Sequence, residues 1–224
     1  MKAAAREDIL NRIRRSREGD SGPEAPIPRA YRRRGTRSRI EILDLFVERV
    51  SDYKATVIRS TPSALAECIA GSLARMGSRR LVVPEDLPAG WLDTALTDGL
   101  EVLRDGGGPG GEVLSKGQLA ACYGVLTGCA LAVAETGTIV LDAGPGQGRR
   151  ALSLLPDHHL CVVHHNQVVE TVPEAVAVME AGVKDVGRPI TLISGPSATS
   201  DIELIRVEGV HGPRNLEVIL VEEA

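Results

Sequence analysis

The sequence predicts an α/β fold: an open, mostly parallel sheet with helices on both faces. Three observations carry that expectation. Aliphatic runs such as ATVIR (55–59), RLVVP (80–84), TIVL (138–141), ITLI (190–193) and LEVILV (216–221) are separated by helical patterns, the strand–helix–strand rhythm of parallel sheets. Those runs are continuously apolar rather than alternating, as strands covered on both faces are. Aromatic residues make up 2% of a chain that is 43% hydrophobic, so the core is to be built from Val, Leu, Ile and Ala.

Taken in order, residues 3–17 (AAAREDILNRIRRSR) read as a short amphipathic helix with Ile9, Leu10 and Ile13 on one side. Residues 18–28 are rich in Gly, Pro and Ser and read as a linker. A second helix covers 38–53, where Ile42, Leu45, Phe46, Val50 and Tyr53 recur at helical spacing. Thr61-Pro62 offers an N-cap with proline at the first helical position, opening a helix that Gly77 ends. WLDTALTDG (91–99) reads as helical, EVL (101–103) as a strand, DGGGPGG (105–111) as a flexible loop and 116–126 as a helix weakened by Gly117 and Gly124. ALAVA and GTIVL are two strands joined at Glu135-Thr136-Gly137, and LCVVHHNQVV (160–169) is a strand. The helix at 173–182 has Pro near its start and Gly at its end.

A chain of 224 residues fits one α/β domain with a terminal extension. Charge supports that division into an arm, 1–37, and a domain, 38–224. Residues 1–40 hold 12 of the 26 Lys and Arg but 5 of the 30 Asp and Glu, leaving 14 basic against 25 acidic residues beyond. A basic arm of this kind reads either as a nucleic-acid or acidic-partner contact or as a solvated extension. The scarcity of aromatic stacking platforms argues against single-stranded nucleic acid. The four cysteines, Cys68, Cys122, Cys129 and Cys161, have no C-x-x-C pair, which excludes a zinc ribbon or a cysteine-ligated cluster and leaves reduced thiols as the expectation. The charged N-terminus has no apolar stretch of a signal peptide, and no segment approaches the ~20 apolar residues that span a bilayer. A cytoplasmic protein with no membrane span is expected.

Three glycine-bearing segments follow apolar runs: CALAVAETGT (129–138), ITLISGPSATSDIE (190–203) and RVEGVHGPR (206–214). Strands that end in Gly and small polar residues expose backbone N–H groups at the carboxyl rim of a sheet. Gly195 lets a ligand approach the backbone, Ser197 and Thr199 supply hydroxyls, and Asp201 is a cap or an acid/base group. Glu135, after five apolar residues, is a nucleophile or general base if desolvated, or a turn glutamate. Thr136, Gly137 and Thr138 surround it. His211 and Arg214 add an imidazole and a guanidinium suited to a carboxylate or phosphate. GPGQGRR (144–150) lacks the P-loop ending and reads as a mobile loop, the alternative being that Arg149 and Arg150 fold over an anionic ligand. His158-His159 and His164-His165 are neighbours on a strand and point to opposite faces, so neither pair chelates a metal; no metal site is expected.

Together AETGTIVLDAGPGQGRRALSLLP, ISGPSATSDIE and GVHGPRNLEVILV resemble the lactate-utilisation (LUD domain) family, specifically the C components of bacterial L-lactate utilisation systems. AREDILNRIR, PRAYR and LDLFVERVSDYKATV extend the likeness over nearly the whole chain. Ala198 departs from it, standing where the family leads one to expect a basic side chain. The resemblance implies a fold similar to the sugar-phosphate isomerase and CoA-transferase superfamily. It also implies companion subunits that carry iron–sulfur clusters, with no cofactor in this chain, and it sets Glu135 near the position of the CoA-transferase catalytic glutamate.

The function expected is an accessory or ligand-binding subunit of a multi-protein system oxidising L-lactate to pyruvate, holding a small carboxylate or other anion at the carboxyl rim. The alternatives are a stand-alone enzyme of CoA-transferase or sugar-phosphate isomerase type using Glu135, and a regulator whose basic arm binds nucleic acid. Homodimerisation is compatible with so aliphatic a chain.

Overall fold

A computed structural model describes residues 2–18, 26–77, 79–106, 111–199, 207–209 and 211–223. The chain forms two units, residues 1–32 and 33–224. The first contains helix α1 (Lys2–Arg17), in which Ile9 and Ile13 are exposed.

The second unit opens with α2 (Arg39–Asp52), started by a capping box in which Ser38 Oγ accepts from Glu41 N and the Glu41 carboxylate accepts from Ser38 N. Ahead of it, Gly35 and Arg37, read by sequence as part of the arm, are bonded into this unit. Gly35 N donates to Glu174 Oε1 at 3.0 Å, and Arg37 holds the buried Glu170 through its backbone N–H (2.9 Å) and Nη1 (2.8 Å). Then follow β1 (Thr56–Ser60), α3 (Leu65–Met76), β2 (Arg80–Pro84), β3 (Glu101–Asp105), α4 (Lys116–Ala120) and β4 (Gly124–Thr127). The chain continues through β5 (Leu131–Val133), β6 (Thr138–Leu141), β7 (His158–His164), β8 (Val168–Val169), α5 (Val172–Val186), β9 (Thr191–Ile193), β10 (Ala198–Thr199), β11 (Val207–Glu208) and β12 (Asn215–Val221).

The main sheet has six strands in the order β1-β12-β7-β4-β2-β3, all parallel. Both faces are buried, and successive residues feed opposite cores. Leu160 and Val162 pack with Leu65, Ile69 and Leu73 of α3, whereas Cys161 and Val163 pack with Leu43, Phe46 and Val50 of α2. The continuous apolar runs therefore mean what the sequence suggested.

One expectation needs enlarging. The sequence implies a single sheet, but β8-β5-β6-β9 form a second, mixed sheet of four strands, and β10 and β11 make an antiparallel pair. The second sheet lies against the α2 face, where Ala132, Ala134, Ile139 and Leu141 join the α2 core, and its other face meets Ala175 and Met179 of α5. Its strands are too short to read as a separate sheet from sequence.

Local signals failed where glycine was misread. Residues 116–126 are a five-residue helix followed by β4. Gly124 is the first residue of a buried strand, where a Cβ would stand 3.4 Å from Leu81 Cδ1 and from Met76 Sδ. Helix α5 runs past Gly182 to Val186 and stops at Gly187, whose φ of +67° is the left-handed cap. Residues 91–99 give turns and one 3₁₀ segment, Ala95–Asp98. At the start of α3, Thr61 makes no cap bond and a 3₁₀ turn, Pro62–Ala64, intervenes. Gly77 ends that helix as expected.

Candidate functional site

Open α/β sheets tend to bind ligands outside the carboxyl ends of their strands, where the strand order reverses. Here the chain passes outward from β2 to β3 and returns to β4 on the other side of β2. Segment 144–150 covers that point. Gly128 N, just past β4, donates to Gly146 O at 2.8 Å, and a Cβ on Gly148 would stand 3.3 Å from Pro84 Cγ at the end of β2.

The segment is anchored rather than mobile. Gln147 Nε2 and Gly144 N donate to Asp142 Oδ1 at 2.8 and 3.0 Å, and Asp142 N donates to Gln147 Oε1 at 2.7 Å. Arg149 forms a bidentate pair with Asp105, Nε to Oδ2 at 2.8 Å and Nη2 to Oδ1 at 3.0 Å. Burial pushes the Asp142 carboxyl up, but hydrogen bonds from Arg188, Gln147 and Gly144 outweigh it and hold the group below its ordinary value. Composition suggested mobility because the partner that fixes Arg149 is remote in sequence.

Beside this loop opens a cleft of about 500 Å³ whose wall includes Glu85, Asp86, Asp105, Arg149 and Arg188. Both arginines already face carboxylates, Arg188 Nη1 lying 2.8 Å from Asp142 Oδ2. With three carboxylates against two guanidinium groups in its wall, this cleft does not favour an anion.

A second cleft, of about 230 Å³, gathers Gly195, Ser197 and His211 with Arg150, Ser153 and His159. Ser197 N donates to Pro213 O at 2.8 Å and His211 N donates to Ser197 Oγ at 3.0 Å, so two of the glycine-bearing segments are stitched together here. Gly195 has φ +86°, and a Cβ on it would lie 2.6 Å from Tyr53 Cβ; only glycine fits. Arg150 Nη1 donates to Ser153 O and Oγ at 3.1 Å each. Among the described residues no carboxylate side chain lines this cleft. Ala198, where a basic side chain was expected, is also in the wall, and Arg150 is the cation there.

The cleft is not at the carboxyl rim of the main sheet. His211 and Arg214 precede β12, and His159 is the second residue of β7, so it lies at the amino ends of those strands. The expectation failed because ITLIS belongs to the second sheet, pairing with β6, and the strand-end rule for one parallel sheet does not govern it.

The other expected residues divide. Thr138 Oγ1 lies 2.8 Å from Ser194 Oγ and 2.7 Å from Thr136 Oγ1, a run of hydroxyls leading from the hairpin to the cleft wall. Gly137 has a packing role: with φ +57°, its Cβ would stand 2.7 Å from the carbonyl carbon of Arg49 in α2. Glu135 is exposed, its backbone N–H donating to Glu170 O at 3.0 Å, and it is not among the residues lining either cleft. Arg214 likewise lies outside both linings, with Nη1 3.6 Å from Asp157 Oδ2. Thr199 sits in β10 opposite Val207, and Asp201 lies outside the described residues.

Sequence reasoning offered Arg150 only as the alternative to a mobile loop and missed Ser153 and His159. For His159 the available signal was the His158-His159 pair. Strand alternation sends His158 toward Glu217 (Nε2–Oε2 3.8 Å) and His159 to the opposite face, where Nε2 lies 2.8 Å from Thr127 Oγ1. Beyond Thr127, Cys161 Sγ lies 4.0 Å from Thr127 Oγ1. Its hydrogen bond with Cys129, helped by His159 and Thr127 and opposed by burial, holds the Cys161 thiol below the ordinary range, while that bond and burial push Cys129 up.

A family model described as the LUD domain matches residues 43–221. "Lactate utilization protein C" of Deinococcus radiodurans is 48% identical over 223 residues, covering 98% of this chain and 96% of that protein. The protein of the same name from Bacillus licheniformis is 28% identical over 193 residues, covering 82% and 79%. In a crystal structure of a DUF162 family protein from Deinococcus radiodurans, 45% identical, the chain superposes with a TM-score of 0.69, covering 83% of this chain and 99% of that one.

Proposed function

The chain belongs to the LUD domain family, and on that premise we propose that it is a ligand-binding subunit of a multi-protein system that oxidises L-lactate to pyruvate. Its relatives named for lactate utilisation support the pathway. The observation that carries the binding role is the second cleft, whose charged lining residue is Arg150 and whose remaining polar groups are hydroxyls and imidazoles. A small carboxylate meets a guanidinium there without a competing carboxylate in the wall among the described residues, and the exposed N–H groups of Arg150 not used on Ser153 are the donors it needs. The companion subunits are iron–sulfur proteins in this reading, and electron transfer is theirs. Among the described residues no helix is long and apolar enough to cross a membrane.

Reconstitution tests the reading. Companion subunits are assayed for lactate-dependent reduction of an artificial acceptor, with and without this chain. Loss of activity without the chain, restored by wild type but not by Arg150→Ala, is the expected result. Unchanged oxidation in its absence would remove the subunit role.

A further inference from the structure

We propose that the chain forms a homodimer by exchanging its amino-terminal helix, the Ile9–Ile13 face of α1 in each copy packing on the bare valine stripe of α5 in the other. None of these residues lines either cleft.

Helix α1 lacks cover within its own unit. It is 16 residues long, a length at which a helix in water is marginal and depends on the packing of an apolar face. Arg6, Ile9, Ile13 and Arg17 recur at spacings of three and four and so share one side of it. Ile9 and Ile13 are 57% and 50% exposed. Among the described residues of 1–32 there is no other helix or strand to cover that side.

Helix α5 presents a matching surface. Val172, Val176 and Val183 are spaced by four and seven, which sets them within about 40° of one another around the helix. All three are exposed, Val176 by 56%. Ala175 and Met179 of the same helix pack on the second sheet. One flank of α5 therefore holds the sheet while the adjoining flank is apolar and bare. Exposed apolar residues gathered on one stripe mark an interaction surface, as scattered ones do not. The pairs Ile9–Ile13 and Val172–Val176 are i, i+4 rows, the ridges by which two helices interdigitate.

Charge and connectivity name the occupant. Helix α1 carries six basic residues against two acidic ones, whereas α5 carries Glu174, Glu180 and Asp185 against Lys184. Opposite net charges favour the meeting of α1 with α5 and disfavour the pairing of like helices. Both faces are bare in the single chain, and a second copy supplies to each what it lacks. The arm also joins the body beside the receiving helix, since Gly35 N donates to Glu174 Oε1 in the first turn of α5. The 17 residues from 18 to 34 reach at most roughly 55 Å when extended, more than twice the ~22 Å length of α5. Exchange about a two-fold axis makes the contact twice.

Sedimentation equilibrium of the intact chain over a concentration series tests the proposal. Wild type is expected to approach twice the 23.8 kDa mass of one chain. Ile9→Glu/Ile13→Glu and Val176→Glu/Val183→Glu each place charge in the contact and should each weaken association at least about tenfold. The four positions are exposed and glutamate suits a helix; thermal unfolding checks that both variants are folded. Should the α5 variant not fold, Val176→Gln/Val183→Gln replaces it. Mixing the two variants then separates exchange from other arrangements, because each retains the half that the other lacks. With nitrogen-15 in the α5 variant alone, its α1 resonances should shift as the α1 variant is added, although neither variant self-associates. Wild type that stays monomeric at about 100 μM, or a dimer indifferent to either variant, overturns the proposal. So do α1 resonances that stay still in the mixture, which would mark pairing of like helices or docking of each arm on its own body.

Discussion

Asp105, at the carboxyl end of β3, is 1% exposed and meets Arg149 of the glycine-rich segment in a bidentate pair at 2.8 and 3.0 Å. Asp105 also accepts Leu114 N at 2.9 Å, and Arg149 Nη2 donates to Leu114 O at 2.7 Å. One ion pair thus ties together the end of the sheet, the start of the α4 region and the loop over the strand crossing. Removing the arginine leaves a carboxylate buried without its counter-charge. Arg149→Met is expected to lower stability by about 3 kcal/mol. Much of the loss should be recovered in the double variant Asp105→Leu/Arg149→Met, and urea unfolding of the three variants checks both. A single-variant loss below about 0.5 kcal/mol would mean the pair behaves as a surface one.

Gly137 is held by geometry, not by a ligand. Its φ is +57° and a Cβ would stand 2.7 Å from the Arg49 carbonyl carbon and 2.8 Å from Val50 N. Gly137→Ala is expected to cost about 2 kcal/mol or more through left-handed strain and overpacking against α2. Thermal unfolding measures it, and an unchanged midpoint would contradict the packing role.

His158 predicts a pH dependence. Burial lowers its pKa, Glu217 opposes that shift and His159 adds to it. The native state therefore binds the proton less readily than the unfolded chain. Its contribution to stability is full above the unfolded value of about 6.5 and is lost as pH falls through the lower folded value. Between pH 7 and pH 5 the wild-type denaturant midpoint should fall more steeply than that of His158→Phe. Parallel curves would refute the prediction.

Helix α5 begins with a reciprocal cap in which Thr171 Oγ1 accepts from Glu174 N and Glu174 Oε2 accepts from Thr171 N at 2.8 Å. The same Glu174 carboxylate accepts from Gly35 N. Thr171→Ala is expected to cost about 1 kcal/mol, and Glu174→Ala more, because it also releases the segment that holds Glu170. Equal losses in the two variants would show that the Gly35 bond contributes nothing.

Arg150 should separate binding from folding. It is exposed and its side-chain bonds go to Ser153, so Arg150→Gln should shift stability by less than about 0.5 kcal/mol while weakening carboxylate binding at least tenfold. Calorimetric titration against an unfolding curve on one sample reads both. Retained affinity would place the anion elsewhere.

The sequence alone determined the elements that depend on near neighbours. The Ser38 capping box, the Gly77 that ends α3 and the hairpin at Glu135-Thr136-Gly137 are written within a few residues of where they act. Continuous apolar runs foretold strands buried on both faces, and the neighbouring His158 and His159 foretold opposite directions, whereas the strand expected over 160–169 ends at His164 and His165 begins a 3₁₀ turn. What the sequence could not hold was pairing between distant stretches. Whether ITLIS joins the parallel sheet or β6, and so which end of the fold Ser197 and His211 occupy, depends on hydrogen bonds formed across 50 residues or more. The same holds for Arg150 and His159, drawn to Ser197 only by the packing of two sheets. Capping and periodicity are local interactions and leave local marks, whereas a binding cleft is made where surfaces remote in the chain close on one another.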